Sequence, residues 1–365
     1  MPNSGTLRIR NDRDSKASES STDEQHMAHS LSDQLAATNR SAQKGTDDHE
    51  QPPGVSSIAV GGTIMARKAP DIKGLRVFPP PPKGFNGLAA SKTDLARHGL
   101  PPRPDPRTQP GPAALWEKVA RRYKDFDHLE PELLAPDRPT EPIDAGFGLD
   151  ALVSSGFELS FPTAPITILS GTWTVPDLNH SPTPETFPNH LHTFFGLGFL
   201  DVHVTMAVDV QQNVTTSIQI HTGAQVALPV RPGDAISATL CLQTDVAGTA
   251  SYFLANETTS QTMNFTIETG FPPAHAINAG VTRDSTFVNG PPDPLARFGA
   301  VYFDELSAFA TSGTPRLTDG LPTTMVDSNG STLAVPQRLT DFTFKVIYRG
   351  TPAGEGFARD RGRIR

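Results

Sequence analysis

Short runs rich in threonine, valine, isoleucine and phenylalanine recur from about Gly146 onward, and glycine, proline, asparagine and aspartate separate them. Such runs are typical of antiparallel β-strands, because β-branched and aromatic side chains pack well on a pleated surface. No helical period of comparable length interrupts them. The pattern predicts one all-β domain over residues 145–350, an antiparallel sandwich or jelly roll. The clearest runs are Ile166–Leu169, His203–Val208, Ala235–Leu240, Met263–Ile267, Arg297–Phe303 and Phe342–Tyr348.

A hairpin is predicted near the end of this domain, where Asn329-Gly330 separates two strand-like runs. Both central positions of a two-residue type I′ turn need a positive φ, which asparagine and glycine adopt readily. Residues Met325–Asp327 and Thr332–Val335 should therefore pair as neighbouring strands.

The N-terminal part of the chain has a different composition. Residues 1–50 contain no Phe, Trp or Tyr, so residues 1–75 are predicted to form a disordered arm with nothing large to bury. Residues 79–142 hold 14 of the 35 prolines, which favours extended polyproline II spacers within a Pro-rich segment over residues 76–144. A disordered tail is predicted for residues 351–365.

Two short helices are predicted within the Pro-rich segment. Residues Ser91–Gly99 begin with capping residues and end at a glycine suited to a C-terminal cap. A longer helix is predicted from Pro112 to about Asp127, and its apolar face is expected to dock against the sandwich. That face carries Trp116, Val119, Tyr123 and Phe126.

Charge and composition exclude several classes of function. The net charge of −8 argues against nucleic-acid and anionic-membrane partners. No apolar stretch is long enough to span a bilayer, and no signal peptide is visible, so the expectation is a cytoplasmic protein. Cys241 is the single cysteine, which rules out an intramolecular disulfide and predicts a buried, inert thiol. No nucleotide-binding or nucleophile motif occurs, and no cofactor is expected.

Histidines alternate with apolar residues in the segment Asn189–Phe195. In a strand, one face would carry His190, His192, Phe194 and Gly196. The opposite face would carry Leu191, Phe195, Leu197 and Phe199, and it should pack between the sheets. Three interpretations of the first face stay open: a solvated polar surface, the lining of a ligand groove, or a zinc site completed by His203 and Asp201.

Further motifs occur in a recognisable order between about residues 150 and 349. They are Ser170–Pro176, Phe194–Gly198, Val230–Asp234, Leu295–Val301, Thr324–Gly330 and Phe342–Tyr348. This ordered set resembles the glutamic peptidases, the eqolisin or G1 family. The resemblance implies a concanavalin A-like pair of packed antiparallel sheets, the concave one forming a substrate groove.

The resemblance also implies where catalytic residues should lie. The family cleaves polypeptides at acid pH with a glutamate that activates water and a glutamine amide that stabilises the oxyanion. Here Met206 or Ala207 takes the glutamine position, and Asn278, Ala279 or Gly280 takes the glutamate position. None of these side chains ionises, so no catalytic residue is expected at either position.

The leading hypothesis is a non-catalytic or repurposed glutamic-peptidase-like sandwich that binds a peptide or glycan in its groove. The expected lining residues are Phe194, His192, His190 and Phe157. One alternative is an active acid endopeptidase with relocated groups, its amide from Gln211, Gln212 or Gln219 and its carboxylate from Glu268. Another is a structural or interaction protein that acts through its N-terminal arm.

Overall fold

Two antiparallel sheets packed face to face form most of the molecule, as the strand-like runs predict. The computed structural model describes residues 72–135, 149–181, 188–243, 248–283 and 292–350. The predicted arm up to residue 71 and the tail from residue 351 lie outside the described residues. The helices are α1 (Lys92–Arg97) and α2 (Pro110–Asp125), with a 3-10 turn at Leu317–Asp319. Neither helix is both long and apolar enough to cross a membrane.

The strands follow in chain order. Those of the first half are β1 (Arg76–Val77), β2 (Asp127–His128), β3 (Leu133–Leu134), β4 (Ser154–Ser160), β5 (Ile166–Thr174), β6 (Leu178–Asn179), β7 (Asn189–Leu197), β8 (Leu200–Val208), β9 (Val214–Ile220) and β10 (Gln225–Val226). Those of the second half are β11 (Ala235–Gln243), β12 (Thr249–Asn256), β13 (Gln261–Glu268), β14 (Ala276–Thr282), β15 (Arg297–Phe298), β16 (Ala300–Ala310), β17 (Leu321–Thr323), β18 (Met325–Val326), β19 (Thr332–Arg338) and β20 (Phe344–Tyr348).

Strands distant in sequence lie side by side in both sheets. The ten-stranded sheet has the order β1-β13-β12-β11-β5-β16-β20-β19-β18, with β2 added parallel to β13. The eight-stranded sheet has the order β17-β4-β14-β7-β8-β9-β10-β3, and β6 pairs with β15 in a separate ribbon. Strand β7, which carries the segment with alternating histidines, lies between β14 and β8 near the centre of the eight-stranded sheet.

The core lies between the two sheets and is built from alternate residues of each strand. Trp173 of β5 stacks on Phe195 of β7 with ring centroids 5.7 Å apart, and its indole nitrogen donates to Thr193 Oγ1 at 2.8 Å. Leu191, Phe195 and Leu197 are fully buried in this core, as predicted for the inward face of β7. Phe199 lies beyond the end of the strand and is not part of the core cluster, contrary to the prediction. Burying each such side chain contributes about 1.5–3 kcal/mol.

A β-bulge interrupts β16 between Asp304 and Ser307. Val301 and Phe303 point into the core before the bulge, and Leu306 and Ala308 point into it afterwards. Glu305 takes a φ of 54°, a left-handed conformation uncommon for a residue other than glycine.

The two helices pack on the outer face of the ten-stranded sheet. A second hydrophobic cluster holds Leu95, Leu100, Trp116, Val119, Ala120, Tyr123 and Phe253. Three residues of the predicted α2 stripe therefore dock as expected, whereas Phe126 caps the helix and is not part of the cluster. The Arg122 guanidinium forms an ion pair with Glu257, whose carboxylate also accepts from Ser237 Oγ. Burial in this layer raises the pKa of the Cys241 thiol to about 12, as suits an inert cysteine.

Local signals located the helices with small errors. The Ser91 Oγ accepts from the Asp94 amide, and Gly99 has a φ of 75°, as expected for the caps of α1. Helix α2 begins two residues earlier than expected, because Pro110 occupies its first turn and needs no amide partner there.

The predicted hairpin forms between β18 and β19, but its turn differs from expectation. Gly330 has a φ of 81°, whereas Asn329 does not have a positive φ. The Asp327 carboxylate instead accepts from the amides of Asn329 and Ser331 and holds a longer loop.

Candidate functional site

One face of the eight-stranded sheet points away from the ten-stranded sheet, and we call it the histidine face. Its central residues are His190, His192 and Phe194 of β7, His203 of β8 and Gln219 of β9. Their assignment follows from strand alternation, because the residues between them lie in the inter-sheet core. The Phe194 and His203 rings are direct cross-strand neighbours with centroids 6.0 Å apart.

The histidine face is buried, which excludes the interpretation of a solvated polar surface. Phe194 exposes 3% of its surface and His203 exposes 2%, yet Phe194 belongs to neither hydrophobic cluster. Aromatic and polar side chains therefore lie together in a region with little access to bulk water. Hydrogen bonds and charges act strongly in such surroundings.

A first row of residues crosses the histidine face at Phe194. Gly280 of β14 lies opposite Phe194, and Gly156 of β4 lies opposite Gly280. The two glycines lie so close that a Cβ on Gly280 would come within 2.2 Å of the Ser155 carbonyl oxygen. The row therefore has no side chains on one side of the Phe194 ring, which suits close approach of another backbone or a ligand.

A second row is polar and crosses the histidine face one residue pair further along. Gly196 lies between Asn278 of β14 and Asp201 of β8, with each directly opposite it. Glu158 of β4 lies opposite Asn278, so the row reads Glu158, Asn278, Gly196 and Asp201. A Cβ on Gly196 would lie 2.3 Å from Asn278 Oδ1, which shows that this amide lies over the glycine.

Asp201 and His203 form a buried pair at the junction of the two rows. His203 Nε2 lies 3.3 Å from Asp201 Oδ1, and each side chain is 3% exposed. Among the described residues, neither nitrogen of His203 has a hydrogen-bond partner of good geometry, nor has Asp201 Oδ1 or Asn278 Oδ1. Buried polar atoms usually bond to protein, water or ligand, so these atoms mark a place where another group is accommodated.

The electrostatic balance of the histidine face favours cations. No lysine or arginine occurs in β4, β7, β8, β9 or β14. The nearest arginine in sequence, Arg283 after β14, donates to the carbonyl oxygens of Leu152 and Asp293. The Glu158 carboxylate accepts from the Leu149 amide and Asp201 lies beside His203, but neither carboxylate has a lysine or arginine on the strands around it.

Three of the four predicted lining residues lie together on the histidine face, and the fourth does not. His190, His192 and Phe194 lie on the histidine face, and His190 Nδ1 lies 3.3 Å from Asp293 Oδ2. Phe157 does not line this face. Its ring lies in the inter-sheet core, 4.9 Å from that of Phe344, because its neighbours Gly156 and Glu158 take the outward positions.

Strand alternation also separates the residues proposed for the two catalytic positions. Met206 and Ala279 belong to the inter-sheet core and do not reach the histidine face. Ala207 lies opposite His190 on that face, and Asn278 and Gly280 share it. Asn278 alone among these carries a polar side chain.

The relocated pair expected for an active endopeptidase does not form. Glu268 ends β13 of the ten-stranded sheet and pairs with Lys73, whereas Gln219 lies on the eight-stranded sheet opposite His203. Gln212 accepts from the His180 amide at a turn. Because the sandwich core separates the two sheets, Glu268 cannot meet the Gln219 amide on the histidine face.

Metal binding by the three histidines finds no support in the geometry. No three His, Cys, Asp or Glu side chains converge as a metal ion requires, within the ranges that the structure describes. His190 and His203 each lie beside a different carboxylate, Asp293 and Asp201.

Sequence reasoning missed the roles of Glu158, Gly196 and Asp201 in the polar row. Asp201 was considered only as a ligand of a zinc site, and Gly196 only as one residue on the face with the histidines. The strand alternation of β8 could have grouped Asp201 with His203. No local pattern could have placed Glu158 and Asn278 beside them, since that depends on the pairing of strands far apart in sequence.

Comparisons with solved structures found similarity to several peptidases. Scytalido-glutamic peptidase, solved with a transition-state analogue inhibitor, is 14% identical, with a TM-score of 0.44 over 54% of this chain and 98% of that one. The eqolisin SCP-B, solved with the tripeptide Ala-Ile-His, is 16% identical over the same shares, with the same TM-score. Aspergilloglutamic peptidase from Aspergillus niger is 17% identical, with a TM-score of 0.36 over 44% of this chain and 99% of that one.

No curated protein sequence matches significantly. The model of the peptidase A4 family matches residues 153–346, which is just over half of the chain and contains strands β4 to β19 in full, with most of β20. The match includes both rows of the histidine face and leaves the two helices outside. The chain therefore belongs to the peptidase A4 family.

Proposed function

We propose that this protein binds an extended polypeptide on its histidine face and does not cleave it by the glutamic-peptidase mechanism. The observation that carries the proposal is the identity of the outward residues of β14, which are Asn278, Gly280 and Thr282. None of them can act as the general base that activates water. The binding function is supported by Gly280 and Gly156, which lie in the row of Phe194 and place no side chain between its ring and an approaching peptide backbone.

The test combines a cleavage assay with a binding assay on one substrate. Reduced, carboxymethylated casein labelled with a fluorophore would be incubated with the purified full chain from pH 2 to pH 7. We expect binding, seen as increased fluorescence anisotropy, and no new fragments by mass spectrometry. Phe194→Leu should weaken binding about tenfold, because a flat aromatic contact is lost. Tyr302→Leu changes an exposed aromatic on the ten-stranded sheet and should leave binding unchanged.

A second candidate, acid endopeptidase activity with relocated groups, is favoured by one observation. Glu158 lies directly opposite Asn278, so a carboxylate and an amide are cross-strand neighbours on the histidine face. Cleavage of casein at acid pH that is lost in both Glu158→Gln and Asn278→Leu would replace the binding proposal with this one.

A further inference from the structure

The polar row of the histidine face has more hydrogen-bond acceptors than donors to satisfy them. Asn278 Oδ1 and Asp201 Oδ1 are buried and lack a well-formed hydrogen bond among the described residues. Neutral His203 offers one further acceptor nitrogen. Leaving a buried acceptor unpaired is costly, more so for a carboxylate, so a donor group is favoured at this place.

The charge of the row specifies the kind of donor. Glu158 and Asp201 flank Asn278 and Gly196 in a single line across four strands, and the strands around them contain no lysine or arginine. His203 lies beside Asp201, so a neutral donor would satisfy the oxygens but leave the Glu158 charge unmatched. A cationic donor satisfies both, because charge-assisted hydrogen bonds to carboxylates are stronger than neutral ones.

The absence of a side chain at Gly196 brings the acceptors of the row close to one another. Asn278 and Asp201 belong to the two strands on either side of β7, so their backbones are about 10 Å apart. Between them Gly196 has no side chain, and the Asn278 amide lies over it. One ammonium or guanidinium group is small enough to reach acceptors on both sides of this gap.

We propose that the row Glu158, Asn278 and Asp201 binds the ammonium or guanidinium group of a basic side chain. This rests on the proposed function, since it gives the bound peptide a lysine or arginine side chain that reaches the polar row beside Phe194. It gives the histidine face two parts, an aromatic surface for the peptide backbone and an anionic row for one side chain.

The experiment uses small probes, so that it does not depend on peptide binding. Melting temperatures of the full chain would be measured with 10 mM N-butylguanidinium and with 10 mM N-butylurea, its neutral counterpart. We expect a rise of about 2–4 °C with the cation alone. Asp201→Asn and Glu158→Gln keep the side-chain shapes and should each reduce the rise. Glu268→Gln removes an exposed carboxylate from the other sheet and should keep it.

Equal responses to both probes, no response to either, or a rise that persists in both row variants would overturn the inference. The casein assay separates this result from the proposed function. If casein binds but the melting temperature shows no preference for the cation, the proposed function stands and the inference of a bound basic side chain is overturned. If the melting temperature rises with the cation alone but casein does not bind, the cation site stands and the proposed peptide binding is overturned.

Discussion

At the scale of single residues, Gly196 and Asn278 depend on each other. The Asn278 amide occupies the volume that any larger residue at position 196 would fill, since a Cβ there would lie 2.3 Å from Oδ1. Asn278 exposes only 7% of its surface, so its amide has little freedom to move aside. The geometry of the polar row therefore requires glycine at this position of β7.

The variant Gly196→Ala tests this dependence. The added methyl group must displace the Asn278 amide, and such overpacking typically costs about 1–3 kcal/mol of unfolding free energy. Chemical denaturation of the variant and the wild type would measure the loss. Gly299→Ala is the matched control, because a Cβ at Gly299 meets nothing within 4 Å. Equal destabilisation by the two substitutions would contradict the arrangement.

Single residues also show how far sequence reasoning reaches. The period of two separated His190, His192 and Phe194 from the core side chains correctly, because alternation depends only on the strand itself. The interpretation of Phe157 was wrong, because it came from matching a motif and ignored the outward direction of its neighbours. The sequence did not reveal that the polar row forms across β4, β14, β7 and β8, because the register between strands depends on tertiary structure.

At the scale of elements, α2 contacts the sandwich through charge as well as through its apolar stripe. Arg122 exposes 7% of its surface and pairs with Glu257, which Ser237 also contacts. Burial lowers the pKa of Arg122, and the Glu257 carboxylate opposes that shift. Without Arg122, the Glu257 carboxylate would remain partly buried beside Ser237 with its charge unmatched.

We expect Arg122→Ala to lower the unfolding free energy by about 3 kcal/mol, because breaking a buried ion pair leaves one charge uncompensated. Arg121→Ala is a close control on the same helix. Arg121 is exposed, and its nearest carboxylate oxygen, on Glu117, lies 4.0 Å away, so its loss should cost less than about 0.5 kcal/mol. Urea denaturation would measure the unfolding free energy of both variants. Similar losses of unfolding free energy would argue against a structural role for the Arg122–Glu257 pair.

Elements with strong local signals were predicted well, and the rest were not. Both helices carry their caps and prolines within a few residues of each end, so their positions could be inferred to within about two residues. The turn at Asn329 was mistaken, because the Asp327 side chain competes with the two-residue turn by capping a longer loop. The short strands β1, β2 and β3 have no pattern of their own and form only as partners of longer strands.

At the scale of the whole molecule, three layers pack on one another: the helices, the ten-stranded sheet and the eight-stranded sheet. The family match begins at residue 153, yet Phe253 and Cys241 on the outer face of the ten-stranded sheet are covered by residues 85–123. The recurring strand-like runs predicted the all-β class, but they gave no measure of how much apolar surface the N-terminal helices cover.

Two truncations test the need for this layer. A chain that begins at residue 72 keeps the described helices and should melt within about 2 °C of the full chain, a shift that corresponds to less than about 1 kcal/mol. A chain that begins at residue 149 loses them, exposes the surface around Phe253, and should melt at least about 10 °C lower or aggregate. Scanning fluorimetry and size-exclusion chromatography would measure both. Equal melting temperatures would show that the helices are dispensable.

The β-bulge in β16 has a consequence for how the layers are held in relation to one another. The extra residue reverses the alternation of the strand, so that odd-numbered residues face the core before it and even-numbered residues face it afterwards. The same residue, Glu305, forms an ion pair with Lys118 of α2. Loss of Glu305 would restore the regular alternation and leave Leu306 and Ala308 facing the core, but it would remove the carboxylate that meets Lys118. The extra residue is thus not needed for the inner packing and serves to anchor the outer layer through Lys118.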